Sequence, residues 1–471
     1  MHRLTRAFVR PLVLLIGFVV PALAQPAAGW LRSPLPFSAQ VLLSHNGAMW
    51  AAGGQESIAE STDNGQHWQI RHTNPDGALL LSFGFVDEKF GYAAGTGGSV
   101  LLTADGGITW IARQTASETI FEAAFGDAQH GIIRARSTLL STTDGGATWK
   151  PVSAANDPNW SQKFPYTPYL VARDGLHLMA RVTEDEFSGG EFLVTTDGGT
   201  TWTAVSVPNG AGDGTLMIAA NQYWSVGHEV VDKDKPGGGH AVPMAIVSSD
   251  GVRWEHRSVN YEVCHWHGCG GCTAQGCFGG RTSFVPFSLI PDKAVSATDS
   301  LARFPAHTLS REWARNGNSL CLLTYGAVEC TALTPVTSLN TEEDSPEWEA
   351  ASFPPLHLLA RRGPDESIER ALPSGLRCIR CDLRGTFFSQ KDDSGPVQVQ
   401  FSFRAGLSGR VEQVKIAREV PDDVAAQLQQ QMNSWLFEPR IQKGKPVETP
   451  VVLRGTVFVM NPQKPPRGPR H

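Results

Sequence analysis

The sequence predicts an all-β propeller of about seven blades followed by a small α+β domain of β-β-α-β form. Three observations predict it: a turn motif that recurs five times, β-type runs between the copies, and a change of pattern near residue 396. The motif, Ser/Thr-x-Asp-x-Gly-x-x-Trp, is clearest at Thr103-Ala104-Asp105-Gly106-Gly107-Ile108-Thr109-Trp110. Gly107 suits the left-handed backbone of a tight turn, Asp105 can accept bonds from nearby amides, and Trp110 can bury its ring beneath the turn.

The same pattern returns with Asp63, Gly65 and Trp68, with Asp144, Gly146 and Trp149, and with Asp197, Gly199 and Trp202; a shortened form carries Asp250 and Trp254. Successive aspartates are 42, 39, 53 and 53 residues apart, a period that points to four-stranded propeller blades. A second signature, Phe85-Val86-Asp87 with Gly91 and Phe125-Gly126-Asp127 with Gly131, precedes two of the boxes. At ~40 to 45 residues per blade, residues 25–340 hold six to seven; seven is the reading and six the alternative. The wider spacing after Asp144 and Asp197 places longer loops at 156–168 and 231–240. A ligand loop and a solvated insertion are both open there.

These boxes resemble the Asp-box (BNR) repeat families, which include sialidases, sortilin-type receptors and photosystem II assembly factors. The resemblance implies that each box sits on a turn at the outer edge of a blade, away from the central channel, and that its aspartate is structural.

A chain of 471 residues with 48 glycines, 31 prolines and 18% charged residues suits a turn-rich β protein of more than one unit. Its formal charge of −6 argues against general nucleic-acid binding. Arg3, Arg6 and Arg10 precede an apolar run over 12–20, and Ala22-Leu23-Ala24 has the form of a cleavage site. Residues 1–24 therefore read as an export signal, giving a periplasmic or outer-membrane-associated protein. The alternative is an uncleaved anchor, although Pro21, Gln25 and Pro26 interrupt it.

Eight cysteines in an exported chain read as disulfides. If Tyr325-Gly326 is a two-residue turn, Cys321 and Cys330 face each other at a close, non-hydrogen-bonded position and pair. Cys264, Cys269, Cys272 and Cys277 crowd into fourteen residues with His265 and His267; disulfides, a zinc site and redox thiols stay open there, with disulfides the reading and no metal assigned. Cys378 and Cys381 have Cys-x-x-Cys spacing without a strand-helix context and are also read as disulfide-bonded. Haem attachment fails, because Thr273 and Asp382 stand where His is required.

Residues 341–395, rich in proline, read as a connector that leaves two separate bodies. From 396 to 461 the pattern is strand, turn, strand over 410–417, a helix opened by Pro421-Asp422-Asp423 with Val424, Leu428, Gln431 and Trp435 on one face, and a strand over 451–460. Residues 462–471 read as a disordered tail. This stretch resembles the C-terminal domain of TonB, the periplasmic energy transducer. The carriers are Gly395-Pro396-Val397, Ser408-Gly409-Arg410-Val411, the core Trp435-Leu436-Phe437-Glu438-Pro439, and Lys443-Gly444-Lys445-Pro446-Val447. The resemblance implies a three-stranded sheet whose free edge accepts an extended peptide from an outer-membrane partner. Residues 396–471 carry eleven basic and six acidic side chains, +5, against −14 for 25–395, which leaves two readings open: the two parts attract each other, or the tail faces an acidic surface.

The expectation is a non-enzymatic binding or scaffold protein with no cofactor, whose propeller holds a protein, peptide or glycan and whose last domain docks an envelope partner. One alternative is a TonB-type transducer that keeps its anchor. Another is an assembly factor, by the likeness of Gly91-Tyr92-Ala93-Ala94-Gly95 to the photosystem II group. The third is a sialidase-like glycosidase; here the family's Arg-Ile-Pro signature is absent, Arg32-Ser33-Pro34 comes nearest, and Tyr92, Tyr166, Tyr169, Tyr223, Tyr261 and Tyr325 lack a catalytic context.

Overall fold

The computed structural model describes residues 30–335 and 366–461 apart from 115–117, 137, 155–169, 183–190, 207–214, 220, 232–239, 258–268, 274–275, 280–282, 288–299, 304–311, 318, 325–326, 333, 382, 384–385, 390–394, 418–419 and 443–444. The export signal, Cys264, His265, His267, the 156–168 loop, Tyr325-Gly326 and the 462–471 tail lie outside the described residues. So does most of the 231–240 loop, whose end residues are strand residues.

Between Leu31 and Pro335 the described residues form seven antiparallel sheets, six of four strands and one of five. The second shows the plan: Leu80–Phe85, Gly91–Gly95, Ser99–Thr103 and Ile111–Gln114 follow one another as an antiparallel meander. Short apolar runs broken by Gly and Asp leave no room for helices, so each run can satisfy its backbone only on its neighbours.

Leading strands of successive sheets lie side by side: Glu312–Asn316 against Ala39–His45, then Leu80–Phe85, Ile120–Phe125, Leu170–Ala172, Thr215–Ala219 and Cys269–Thr273. The last sheet is completed by the start of the chain. Leu31–Pro34 pairs with Ala327–Ala332 in the register Leu31↔Cys330 and Pro34↔Ala327. This is the arrangement of a β-propeller.

The core lies between sheets, not within them. Trp50 and Ile58 of the first sheet pack on Leu80, Phe83, Ala93 and Trp110 of the second. Met49, Ala51 and Ala59 on the other face pack on Ala314, Cys321 and Val328 of the last. Buried alanines at these centres let the sheets approach closely.

At the seam, Cys321 stands opposite Cys330 across the hairpin, Cα to Cα 4.1 Å, and the two sulfurs are bonded. A Cβ on Gly65 would sit 2.7 Å from Cys330 Sγ, so the first Asp box and the last hairpin interlock. Asn316 donates from Nδ2 to Gly47 O at 2.7 Å and Asn64 Oδ1 at 2.9 Å across the same seam. In the sixth sheet Cys272 pairs in register with Cys277, and Cys269 begins the first strand.

The second body is larger than the boundary at 396 implies. Ile368, Leu376, Cys378, Cys381, Leu383 and Phe387 share one core with Phe401, Phe403, Leu428, Trp435 and Phe437. The stretch read as a connector thus contributes a helix, Glu366–Ala371, and strands Arg377–Arg380 and Thr386–Phe388. Cys378 and Cys381 are bonded and buried within this core. The sheet has four strands rather than three, in the order Thr386–Phe388, Thr449–Met460, Gly395–Ala405, Val411–Ile416. The first of these runs parallel to its neighbour.

Helix Asp422–Met432 buries Val424, Leu428 and Met432. Met432, not Gln431, completes its apolar face, and Trp435 is buried from the turn beyond the helix end. The two bodies also touch, through Arg136 with Glu438 and Lys445 with Asp76.

Replacing Cys321 and Cys330 together by serine is expected to cost about 2 to 3 kcal/mol, the loop-closure value for so short a loop. Chemical denaturation of the oxidised protein and the double variant checks it.

Candidate functional site

Turns joining strands one and two, and three and four, fall at one end of the sheets. The turns joining two and three, and the links between sheets, fall at the other. The Asp boxes occupy the first end. In the second sheet Thr103 and Thr109 donate from their hydroxyls to Asp105 at 2.8 and 2.6 Å, and Thr109 N donates at 2.9 Å. Gly107 N donates to Thr103 Oγ1 at 2.9 Å, and Trp110 Nε1 to Gly107 O at 3.1 Å.

Asp144 and Asp197 repeat this set with Thr148 and Thr201, both hydroxyl bonds being 2.6 Å. Asp63 takes Ser61, the Gln66 and His67 amides, and His67 Nδ1 at 2.6 Å. Asp250, in a box one residue shorter, takes Ser248 and the amides of Val252 and Arg253. The second glycines, Gly65, Gly107, Gly146 and Gly199, together with Gly251, all have φ between 77° and 92°, which L side chains resist. Trp68, Trp202 and Trp254 make the same indole bond as Trp110. Trp149 instead sets its ring edge-on to Phe125.

Every box carboxylate is therefore committed to its own turn. The Thr109 hydroxyl, then its amide, hold Asp105 down at about 2, and Thr148 does the same for Asp144. The His67 amide draws Asp63 lower still. Partial burial pushes Asp197 and Asp250 up, but their turn donors outweigh it and both end below the usual carboxylate range.

A second set of aspartates locks onto the boxes. Asp87 accepts from the amides of Lys89 and Phe90, and Asp127 from those of Gln129 and His130. Asp174, a copy the repeat analysis did not pick out, accepts from Leu176 and His177. The shared Asp-x-x-His spacing of Asp127/His130 and Asp174/His177 was the signal that could have found it. The first glycine of each following box donates into these turns: Gly106 to Lys89 O, Gly145 to Gln129 O and Gly198 to Leu176 O, at 2.8 to 3.0 Å.

The tyrosines weighed for catalysis stand apart from the boxes in role. Burial pushes the Tyr92 and Tyr223 hydroxyls up from their ordinary value. Tyr166, Tyr169, Tyr261 and Tyr325 lie outside the described residues. Arg32 is paired with Glu329 at 2.7 Å on the closing strand. Among the described residues no group of three or more His, Cys, Asp or Glu side chains is placed to hold a metal ion.

The opposite end carries the C-terminal body, and here the structure brings Glu438, Arg410 and Lys445 onto propeller residues that the sequence did not single out, Arg136, Ser38, Ala39 and Asp76. Arg136, on the turn between strands two and three of the third sheet, donates to Glu438 Oε1 at 2.5 Å and Cys378 O at 3.1 Å. Its guanidinium and that of Arg134 lie over the Phe121 ring, 5.3 and 4.7 Å from the centroid. Arg410 donates to Ser38 Oγ and to Ala39 O, at the start of the first sheet. Lys445 Nζ stands 3.7 Å from Asp76 Oδ2.

Glu438 belongs to the Trp-Leu-Phe-Glu-Pro segment. Within it, Trp435 and Phe437 pack on Phe401 and Phe403 with ring centroids 5.4 to 5.9 Å apart, and Pro439 is half-buried at the strand end. Gly409, at φ 75°, has no room for a Cβ, which would meet Phe437 O at 2.1 Å.

The sheet of this body offers an edge. Thr386–Phe388 covers only Phe458, Val459 and Met460 on the outer side of the strand Thr449–Met460. Over 449–457 no strand among the described residues pairs on that side. Val452 and Phe458 are exposed beside it.

Seven sheets, five of them with an Asp-box turn between their third and fourth strands, give this part of the chain the architecture of a β-propeller. A family model described as Photosynthesis system II assembly factor YCF48 matches residues 74–227. No curated protein matches the chain. Among solved structures, one of YCF48 bound to D1 peptide is 16% identical over 66% of this chain and 98% of its own, at a TM-score of 0.37. YCF48 from Cyanidioschyzon merolae is 15% identical over 66% and 90%, at 0.36. The Cps50 (Swd1) β-propeller domain of Myceliophteria thermophila is 8% identical over 65% and 100%, at 0.46. At these identities and TM-scores the three likenesses carry no functional argument.

The box carboxylates set an acid limit. Their folded pKa is depressed, so their contribution is complete above the unfolded value of about 3.9 and is lost as pH falls through about 2. The thermal midpoint is expected to hold level from about pH 7 to 5 and to fall between about 4 and 2. Thr109→Val should raise the Asp105 pKa, read by NMR titration of its carboxyl.

Proposed function

We propose that the chain is an exported, non-enzymatic binding or scaffold protein: a seven-bladed propeller that holds a protein, peptide or glycan, joined to a TonB-like module that takes an extended segment of an envelope partner. The observation that carries this reading is the outer edge over 449–457, where no strand among the described residues pairs, beside exposed Val452 and Phe458. Such an edge binds by main-chain hydrogen bonds, with alternate side chains supplying specificity.

The propeller supports the same reading. Its repeated carboxylates are spent on turns, and the match of 74–227 to an assembly-factor family favours a macromolecular ligand over a small substrate. The charged, apolar and small residues of 1–24 support export.

Purified from an envelope, the full chain is expected to recover outer-membrane proteins that a chain ending at residue 365 does not. Equal recovery by both refutes docking through the last domain. The mature protein should begin near Gln25 by terminal sequencing, whereas an intact Met1 with membrane partition would favour the anchored transducer. A fluorogenic sialoside should not be turned over, and robust turnover would sink the non-enzymatic reading.

A further inference from the structure

Among the described residues the hydrophobic clusters of the two bodies do not merge: one cluster holds only residues from Ile368 onward, and the five others hold only residues before Ala332. What joins the bodies is polar: Arg136 to Glu438 and Cys378 O, Arg410 to Ser38 and Ala39 O, and Lys445 facing Asp76. Gly409 faces a Leu79 methyl and Gly54 faces Ser408, close enough that a Cβ on either glycine would meet them at 3.5 and 3.7 Å. Charge runs the same way, +5 on 396–471 against −14 on 25–395. Interfaces of this kind, without a shared apolar core, separate readily.

The position of the contact matters as much as its chemistry. Ala39 begins the leading strand of the first sheet with Ser38 just before it, Leu79 immediately precedes that of the second, Asp76 lies on the link between the two sheets, and Arg136 is on a turn of the third. The C-terminal body therefore covers three consecutive sheets at the end away from the Asp boxes. Anything that binds this end of the propeller competes with it.

We propose that this end is a recognition surface for a carboxylate carried on an extended strand, and that its resident occupant is the chain's own Leu436–Glu438, so that the C-terminal domain is a detachable, charge-held cover. Arg136 is the selecting group. With its Cζ 5.3 Å from the Phe121 ring centroid and its side chain about four-fifths buried, it donates from Nη2 to both Glu438 and Cys378 O. Arg410 is the second clasp, set by the Gly409 turn, which accepts from Phe437 N at 2.8 Å and ties the clasp to the same strand. Release would expose the propeller end and free Glu438 together. This inference concerns how the two bodies are held and stands whether or not the 449–457 edge takes a partner.

The exposed pair Lys445 and Asp76 reports the closed state, because a carbodiimide joins an amine to a carboxylate only when they touch. In the full-length protein the Lys445–Asp76 cross-link, measured by mass spectrometry, should be abundant at low salt and fall at least about fivefold in 1 M NaCl, where the Debye length is about 3 Å. Arg136→Glu and Glu438→Arg should each reduce it about tenfold at low salt, and the double variant should restore it. Cross-linking unchanged by salt in the unaltered protein, or unchanged in both single variants, overturns the proposal. So does a double variant, folded by calorimetry, that fails to recover. The salt series needs no substitution and so decides the matter even if a variant does not fold. Pull-down through the 449–457 edge can fail without altering any of these results.

Discussion

One piece of backbone pairing holds the large body together: Leu31–Pro34 laid antiparallel on Ala327–Ala332. Without it the last sheet keeps a bare edge and the ring has an opening. The surrounding seam is reinforced accordingly. The Arg32–Glu329 ion pair, the Cys321–Cys330 bond, the Gly65 turn seated on Cys330, and Asn316 bridging to Gly47 and Asn64 all lie within one junction between the first and last sheets. Other junctions combine apolar packing between faces with single polar links, such as Ser99 Oγ to Glu56 at 3.0 Å and the Leu170 amide to Glu122 at 3.1 Å.

The rest of the propeller repeats a simpler solution. Each box satisfies its own carboxylate, exposes its second glycine to a left-handed turn and usually ties an indole to that glycine's carbonyl; the companion aspartate turns then receive the first glycine of the box. The result is a rigid end whose polar groups are used internally. The far end is different in kind: Arg136 reaches out of the sheets to Glu438 and Cys378 O, and Arg410 of the C-terminal body reaches in to Ser38 and Ala39 O. Stability is concentrated at one pole and recognition at the other.

What the residues announced in advance follows this division. The boxes were legible because each function in them is local: Gly107 for the turn, Asp105 for its amides, Trp110 for the ring beneath, all within eight residues. Cys321 and Cys330 could be set opposite each other for the same reason. In the second body the alternation of Val399, Phe401 and Phe403 gave away its strand. The short parallel strand Thr386–Phe388 did not show, because three residues carry no period and its partner lies some seventy positions on. Met432 was overlooked in favour of Gln431 and Trp435 because the helix stops before Trp435, which reaches the core by a turn. Arg136 meeting Glu438 could not be read at all, since nothing in either neighbourhood encodes a contact 302 residues away.

The seam has a bearing on how the molecule is made. Leu31–Pro34 emerges early, yet its ladder partner among the described residues is some 297 positions later. While the chain is being synthesised, successive meanders can form from neighbouring segments, but the first strand must remain unzipped until nearly all of them exist. Joining the ends is therefore the long-range, entropically slow event, and the interval before it is when an unpaired edge of the nascent ring is open to mispairing or to the attention of a chaperone.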